Sequence, residues 1–152
     1  MSLEHLLTDL HSRTVQAKGA AFERLCRWYL MNDSTYRAKV RKVWLWEEWP
    51  GRWGADTGTD LIVETKEGQV WAVQAKAYQA DKSITKASID SFLSDTNRPG
   101  IDFRLLIATT NHVAKNAQKT IAAQTIPVGT RLLSDLRKSG VVWPKSLETL
   151  KA

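Results

Sequence analysis

The sequence predicts an α/β domain, a mixed β-sheet of about four or five strands flanked by helices. Three observations carry this. Apolar residues recur at helical spacing near the N-terminus and again in the second half of the chain. Between them lie short segments rich in β-branched and aromatic residues, separated by turn-forming clusters. Finally, Phe103 to Thr109 (FRLLIAT) is almost wholly apolar in its middle, the pattern of a strand covered on both faces.

Leu3, Leu6, Leu7 and Leu10 predict a short amphipathic helix. A longer one follows from about Thr14 to Met31, with Phe22, Leu25, Cys26, Tyr29 and Leu30 on one stripe and Arg24 and Arg27 on the other side. Asn32-Asp33-Ser34 reads as a stop and turn. Val40 to Trp46 reads as a strand, and the loop from Pro50 to Thr59 is dense in residues that punctuate structure. Strands over Asp60 to Thr65 and Gln69 to Lys76 are joined by Lys66-Glu67-Gly68, with the glycine placed to take the left-handed conformation. Ile84 to Asp95 reads as a helix ended by Asn97-Arg98-Pro99-Gly100. After the Phe103 strand come a helix over Ala114 to Gln124 and a short one over Leu132 to Lys138. Ile126 to Leu133 leaves room for one further strand. With no repeat or linker, the reading is one domain over 1–152, with a core of about 14–110 and a helical extension of about 111–152.

Composition narrows the function. A chain of 152 residues, 43% hydrophobic and 25% charged, has the balance of a folded globular protein. No apolar run approaches the ~20 residues of a membrane span. The N-terminus lacks the basic start and apolar centre of a secretory signal. No membrane association and a cytoplasmic location are therefore expected. Cys26 stands alone, so it has no internal disulfide partner, and three scattered histidines give no basis for a Cys/His zinc site. A formal charge of +6 orders the partners: nucleic acid first, an acidic surface second. No P-loop or glycine-rich cofactor loop is present.

The hairpin concentrates the chemistry. With a three-residue loop, Thr65 faces Gln69, and counting back sets Asp60 opposite Gln74. Asp60, Gln74 and Lys76 are then expected to converge on one face at the open end of the hairpin. A carboxylate, an amide oxygen and an amine so grouped suit phosphodiester hydrolysis. A hard cation such as Mg²⁺ takes one or two protein carboxylates and fills its shell with water and phosphate oxygens, while an ammonium stabilises developing charge. The plainer alternative is a strand-start aspartate with Gln74 and Lys76 on a solvated sheet face.

The hairpin resembles the Mrr-like branch of the PD-(D/E)XK nucleases, the restriction endonuclease-like fold. The matching residues are Asp56-Thr57-Gly58-Thr59-Asp60 and Gln74-Ala75-Lys76, followed by Tyr78. Gly19-Ala20-Ala21-Phe22-Glu23 resembles that branch's Gly-x-x-Phe-Glu helix. The resemblance implies that Asp60 and Gln74 bind metal, that the Ala75 carbonyl is a further ligand and that Lys76 is the catalytic lysine. Glu23 is implied as a supporting member, against a plain surface glutamate beside Arg27. It also implies a Mg²⁺-dependent endonuclease acting on DNA, with Mn²⁺ able to substitute. Gln74 departs from the wider superfamily's glutamate, and the lost charge predicts weak Mg²⁺ binding without DNA. The chain is further similar to the N-terminal nuclease of Type ISP restriction-modification enzymes, which implies fusion to ATP-driven translocase and methyltransferase modules. The Met1 start and the abrupt end at Lys151-Ala152 are those expected of an excised domain.

Other features have two readings each. Trp44, Trp46, Trp49 and Trp53 fit either base stacking or core packing, the latter being commoner; Trp53, beside Gly54, is the best placed of them for DNA. Arg37, Lys39, Arg41 and Lys42, like Lys82, Lys86, Lys115 and Lys119, suit phosphate contact or a solvated basic face. Thr109-Thr110-Asn111-His112 is expected at the cleft edge. Two competing functions keep the same fold: a structure-specific nuclease of the junction-resolvase kind, and a non-catalytic DNA-binding module. A third, a merely basic protein-interaction domain, binds no DNA at low salt.

Overall fold

Helix α1 (Leu3–His11) buries Leu3, Leu6, Leu7 and Leu10, as their spacing requires. Helix α2 (Val15–Asn32) starts where the Thr14 hydroxyl accepts a hydrogen bond from Ala17 N, and buries the predicted stripe from Phe22 to Leu30. Asp33 does more than stop it. Its carboxylate accepts from the Thr35 and Tyr36 amides and so caps a further turn, α3 (Ser34–Arg37). The structure is a computed structural model and describes residues 2–55 and 57–150, so Asp56 of the loop motif and the terminal Lys151-Ala152 lie outside the described residues.

Five strands form one sheet in the order β1 (Val40–Leu45), β2 (Leu61–Thr65), β3 (Val70–Lys76), β4 (Phe103–Ala108) and β5 (Val128–Arg131). The first three are antiparallel, and the last three run parallel through crossovers carrying α4 (Lys86–Asp95) and α5 (Lys115–Ala122). The segment after residue 111 thus adds a strand to the sheet as well as helices α5 and α6 (Leu133–Lys138).

The sheet separates two cores. One gathers α1, α2 and α6 with Leu61, Val63, Val73, Leu105 and Ile107. The other gathers α4 and α5 with Ile62, Ala72, Leu106 and Ala108. This is the strand alternation of period two. Trp46 leaves the predicted strand for a 3₁₀ turn (Trp46–Glu48), and Ile84, predicted helical, makes a lone parallel bridge to Val113.

Arg104 is wholly buried on β4 and has no carboxylate partner among the described residues. Its guanidinium donates to the carbonyls of Leu93 (2.7 Å) and Ile126 (2.9 Å), to Thr96 Oγ1 (3.1 Å) and to Gln124 Oε1 (2.7 Å). One buried cation thereby closes the C-terminal end of α4 and fixes the chain between α5 and β5.

Candidate active site

The β2–β3 hairpin has the predicted register from Thr65 opposite Gln69 as far as Leu61 opposite Val73. Gly68 takes φ 87° in the connecting loop, the left-handed conformation that Cβ-bearing residues avoid. At Asp60 the ladder breaks step. Its N–H donates to the Val73 carbonyl at 2.9 Å, although Leu61 is the residue paired with Val73. Two residues thus oppose one, as in a β-bulge, and a bulge re-aims its side chains.

The re-aiming alters the expected convergence. The Asp60 carboxylate accepts from Ala75 N at 2.8 Å and from the Glu23 carboxyl on α2. It therefore lies on the α2 side, where Ala75 also packs. Gln74 alternates with Ala75 and turns to the opposite side: its Nε2 donates to Gly58 O at 3.3 Å. Gly58 itself has φ 71°, and a Cβ there would meet the backbone of Phe92 on α4. Asp60 and Gln74 thus meet at the end of the sheet rather than side by side on one face. Lys76 lies close enough to Asp60 to favour its charged form, without a direct ion pair.

The electrostatics follow from this crowding. Burial first, then the charges of Asp60 and Glu47, push the Glu23 carboxyl up to about 8. Its proton forms the bond to Asp60. Burial also raises Asp60, against the opposing pull of the Ala75 N–H, the Glu23 hydrogen bond and Lys76. Buried Cys26 is pushed up by its burial and then by the same two carboxylates, which places them against the inner side of α2. Glu47 was not singled out by the sequence. It sits in a 3₁₀ turn that no periodicity marks, and its charge reaches both carboxyls.

These residues fit a hard divalent cation. Gln74 is nearly buried, yet its Oε1 has no hydrogen-bond partner, an acceptor left for a ligand to satisfy. Two carboxyls that share a proton are a pair whose proton a bound cation would displace. Among the described residues no three His, Cys, Asp or Glu side chains form a metal-holding group. The donors present are two carboxylates and neutral oxygens, the oxygen set that a hard divalent cation takes.

Of the four clustered tryptophans Trp46 is buried in the core, and Trp44, Trp49 and Trp53 are half-buried against it. Trp46, Trp49 and Trp53 pack on one another, with centroids 4.8 Å apart for Trp46 and Trp53, and Arg98 covers Trp53 at 4.1 Å. This cluster anchors the loop into Asp60: Trp46 Nε1 donates to Gly54 O, and Trp46 N to Asp60 O. Trp53 is half-buried, and its Nε1 has no hydrogen-bond partner. Trp44 Nε1 donates to Glu64, and Lys42 lies over its ring. Arg41 pairs with Glu64, and Lys86 with Asp90. Thr109 and Thr110 tie down the chain after β3, while Asn111 and His112 line a cavity of about 570 Å³.

Residues 31–151 match the Mrr_cat_2 family model, whose description is restriction endonuclease. Glu23 lies ahead of that segment. The chain superposes on an ATP-dependent Type ISP restriction-modification enzyme, LlaBIII, bound to DNA. The TM-score is 0.72 at 30% identity, covering 91% of this chain and 10% of that one. The MspJI restriction endonuclease, in complex with a 27-mer oligonucleotide, matches with TM-score 0.60 at 20% identity over 88% of this chain and 30% of its own. AspBHI, a DNA modification-dependent restriction endonuclease, gives 0.61 at 19% identity over 97% and 37%. The latter two show the fold alone. No curated protein sequence matches. The chain thus spans about a tenth of the length of the first of these proteins. No helix among the described residues is long and apolar enough to cross a membrane. A sheet end that carries paired carboxyls, an unsatisfied amide oxygen and a lysine agrees with the sequence match, and the chain belongs to the Mrr_cat_2 family of restriction endonucleases.

Proposed function

We propose that this chain is a divalent-metal-dependent endonuclease domain that hydrolyses DNA phosphodiester bonds, the cleaving module of a restriction-modification enzyme. The observation that carries the reading is the Glu23–Asp60 carboxyl pair held to the Ala75 amide at the sheet end, with Gln74 Oε1 unsatisfied at the same end of the sheet. Asp60, Glu23, Gln74 Oε1 and the Ala75 carbonyl would hold the cation, Mg²⁺ or Mn²⁺. When bound, it supplies Lewis-acid activation of the phosphate and a more acidic water.

The protein's own residues supply the rest. The Ala75 N–H and the loop clamped by Trp46 fix Asp60 in place, so its carboxylate is preorganised. Lys76, without an ion pair among the described residues, would present its ammonium to the charge that develops on the scissile phosphate. Gln74 would contribute an oxygen but no charge, so a bound cation would lean partly on phosphate oxygens of the DNA. The Type ISP likeness supports fusion to ATP-driven translocase and methyltransferase modules, and a DNA-cleaving module of that kind goes with a cytoplasmic location.

The test is plasmid cleavage with Mg²⁺ or Mn²⁺ by the wild type and by Asp60→Ala. The variant should lose on the order of 100-fold or more in rate. Equal nicking by both would remove Asp60 from the site. Salt-sensitive DNA binding with no metal-dependent nicking, here and in any longer parent protein, would mark a non-catalytic module instead. Cleavage confined to branched substrates would mark a structure-specific nuclease.

A further inference from the structure

We propose that Lys82 is a second DNA-phosphate-binding residue, positioned over the Tyr78 ring to grip the strand next to the phosphate at Asp60 and Lys76. The inference rests on the nuclease reading and extends it to the path of the substrate.

Beyond Lys76 the chain does not wander. Thr109 Oγ1 donates to the Tyr78 carbonyl at 2.6 Å and Thr110 Oγ1 to that of Ala80 at 3.0 Å, pinning the segment to the end of β4. A turn bond from Lys82 N to Gln79 O brings the chain back. Tyr78 consequently has two ammonium groups close to its ring, Lys82 Nζ at 4.1 Å from the centroid and Lys76 Nζ at 5.4 Å.

Neither lysine has an ion pair among the described residues, and the neighbouring Asp81, exposed, pairs with neither. The two cations are thus closer together than a Debye length, about 10 Å at 0.1 M salt, and they repel. A ring face offers each only about 0.5–1 kcal/mol. Two unpaired cations on a fixed spacer form a site for a polyanion, and a phosphodiester backbone relieves the repulsion at both. Past Lys82, the cavity lined by Ser83, Asn111, His112, Gln118 and Thr130 has no acidic side chain to oppose a strand.

The measurement is binding of a fluorescein-labelled DNA duplex in EDTA, by anisotropy across a salt series, for the full chain. Lys82→Ala should weaken binding several-fold and lower the slope of log K against log salt by about 0.9, one phosphate contact. Lys82→Arg should restore the slope. Lys86→Ala, which removes a lysine already paired with Asp90, should leave it unchanged. With Mg²⁺, Lys82→Ala should raise KM for cleavage while kcat holds. An unchanged slope in Lys82→Ala, with wild type binding normally, would overturn this inference alone. Absence of salt-dependent binding by the wild type would overturn the nuclease reading with it.

Discussion

Glu23→Gln isolates the shared proton at the site. The glutamine keeps the shape of the side chain and a donor for Asp60, and removes the titration. In metal-free protein the Glu23 carboxyl rises from 4.5 to about 8, chiefly through burial and then through Asp60 and Glu47. The folded state therefore binds this proton more tightly than the unfolded chain does. Its contribution to stability is complete below about pH 4.5 and is lost as pH rises through about 8. At ~1.4 kcal/mol for each tenfold change in proton affinity the ceiling is ~5 kcal/mol. The carboxyl is only half-buried, and solvent screening reduces this to about 1–2 kcal/mol. Urea denaturation in EDTA at a series of pH values reads it directly. Wild type should lose about that much stability relative to Glu23→Gln between pH 5 and 8. Saturating Mn²⁺ should flatten the wild-type profile, because a cation takes the proton's place. Parallel profiles for the two proteins in EDTA would refute the shared-proton geometry.

Gln74→Glu should have opposite effects with and without metal. Without it, a carboxylate oxygen replaces the Nε2 donor against the Gly58 carbonyl and joins two other carboxyls, costing about 2–3 kcal/mol in thermal unfolding. With it, calorimetric Mg²⁺ affinity should rise about tenfold, where the wild type binds weakly without DNA; unchanged affinity would remove Gln74 from the metal's shell. Arg104→Met should lower stability by about 2–4 kcal/mol, leaving the Leu93 and Ile126 carbonyls without their donor. The urea midpoint should fall at constant m, and a rise in stability would mean that burying the guanidinium costs more than its hydrogen bonds return.

Much of the site was legible because it depends on local rules. A three-residue loop with Gly68 fixes the hairpin register, and register sets which residues of β3 lie nearest Asp60. Helical periodicity leaves Glu23 undecided between the site and a surface position beside Arg27, and only the resemblance of Gly19 to Glu23 to the Gly-x-x-Phe-Glu helix singles it out. The bulge was not legible, since it is one hydrogen bond's choice of carbonyl, and it carries Asp60 to the side opposite the one alternation assigns. Arg104 reads in sequence as the polar start of a strand; only the carbonyls that converge from α4 and the α5–β5 connection make its burial tolerable. Asp33 illustrates a related ambiguity, because the residue that stops one helix caps the next. The neighbours of Trp53 in space, Trp46, Trp49 and Arg98, are set by the loop's path, which no spacing in the sequence encodes.

The hydrogen bond from Ala75 N to Asp60 gives the site a built-in reporter. An amide proton bonded to a carboxylate takes its chemical shift from that carboxylate's charge. Because this amide belongs to a central strand, motion of the sheet contributes little to the signal. One backbone resonance can therefore follow proton, cation and substrate at the site in turn, without a label and without turnover.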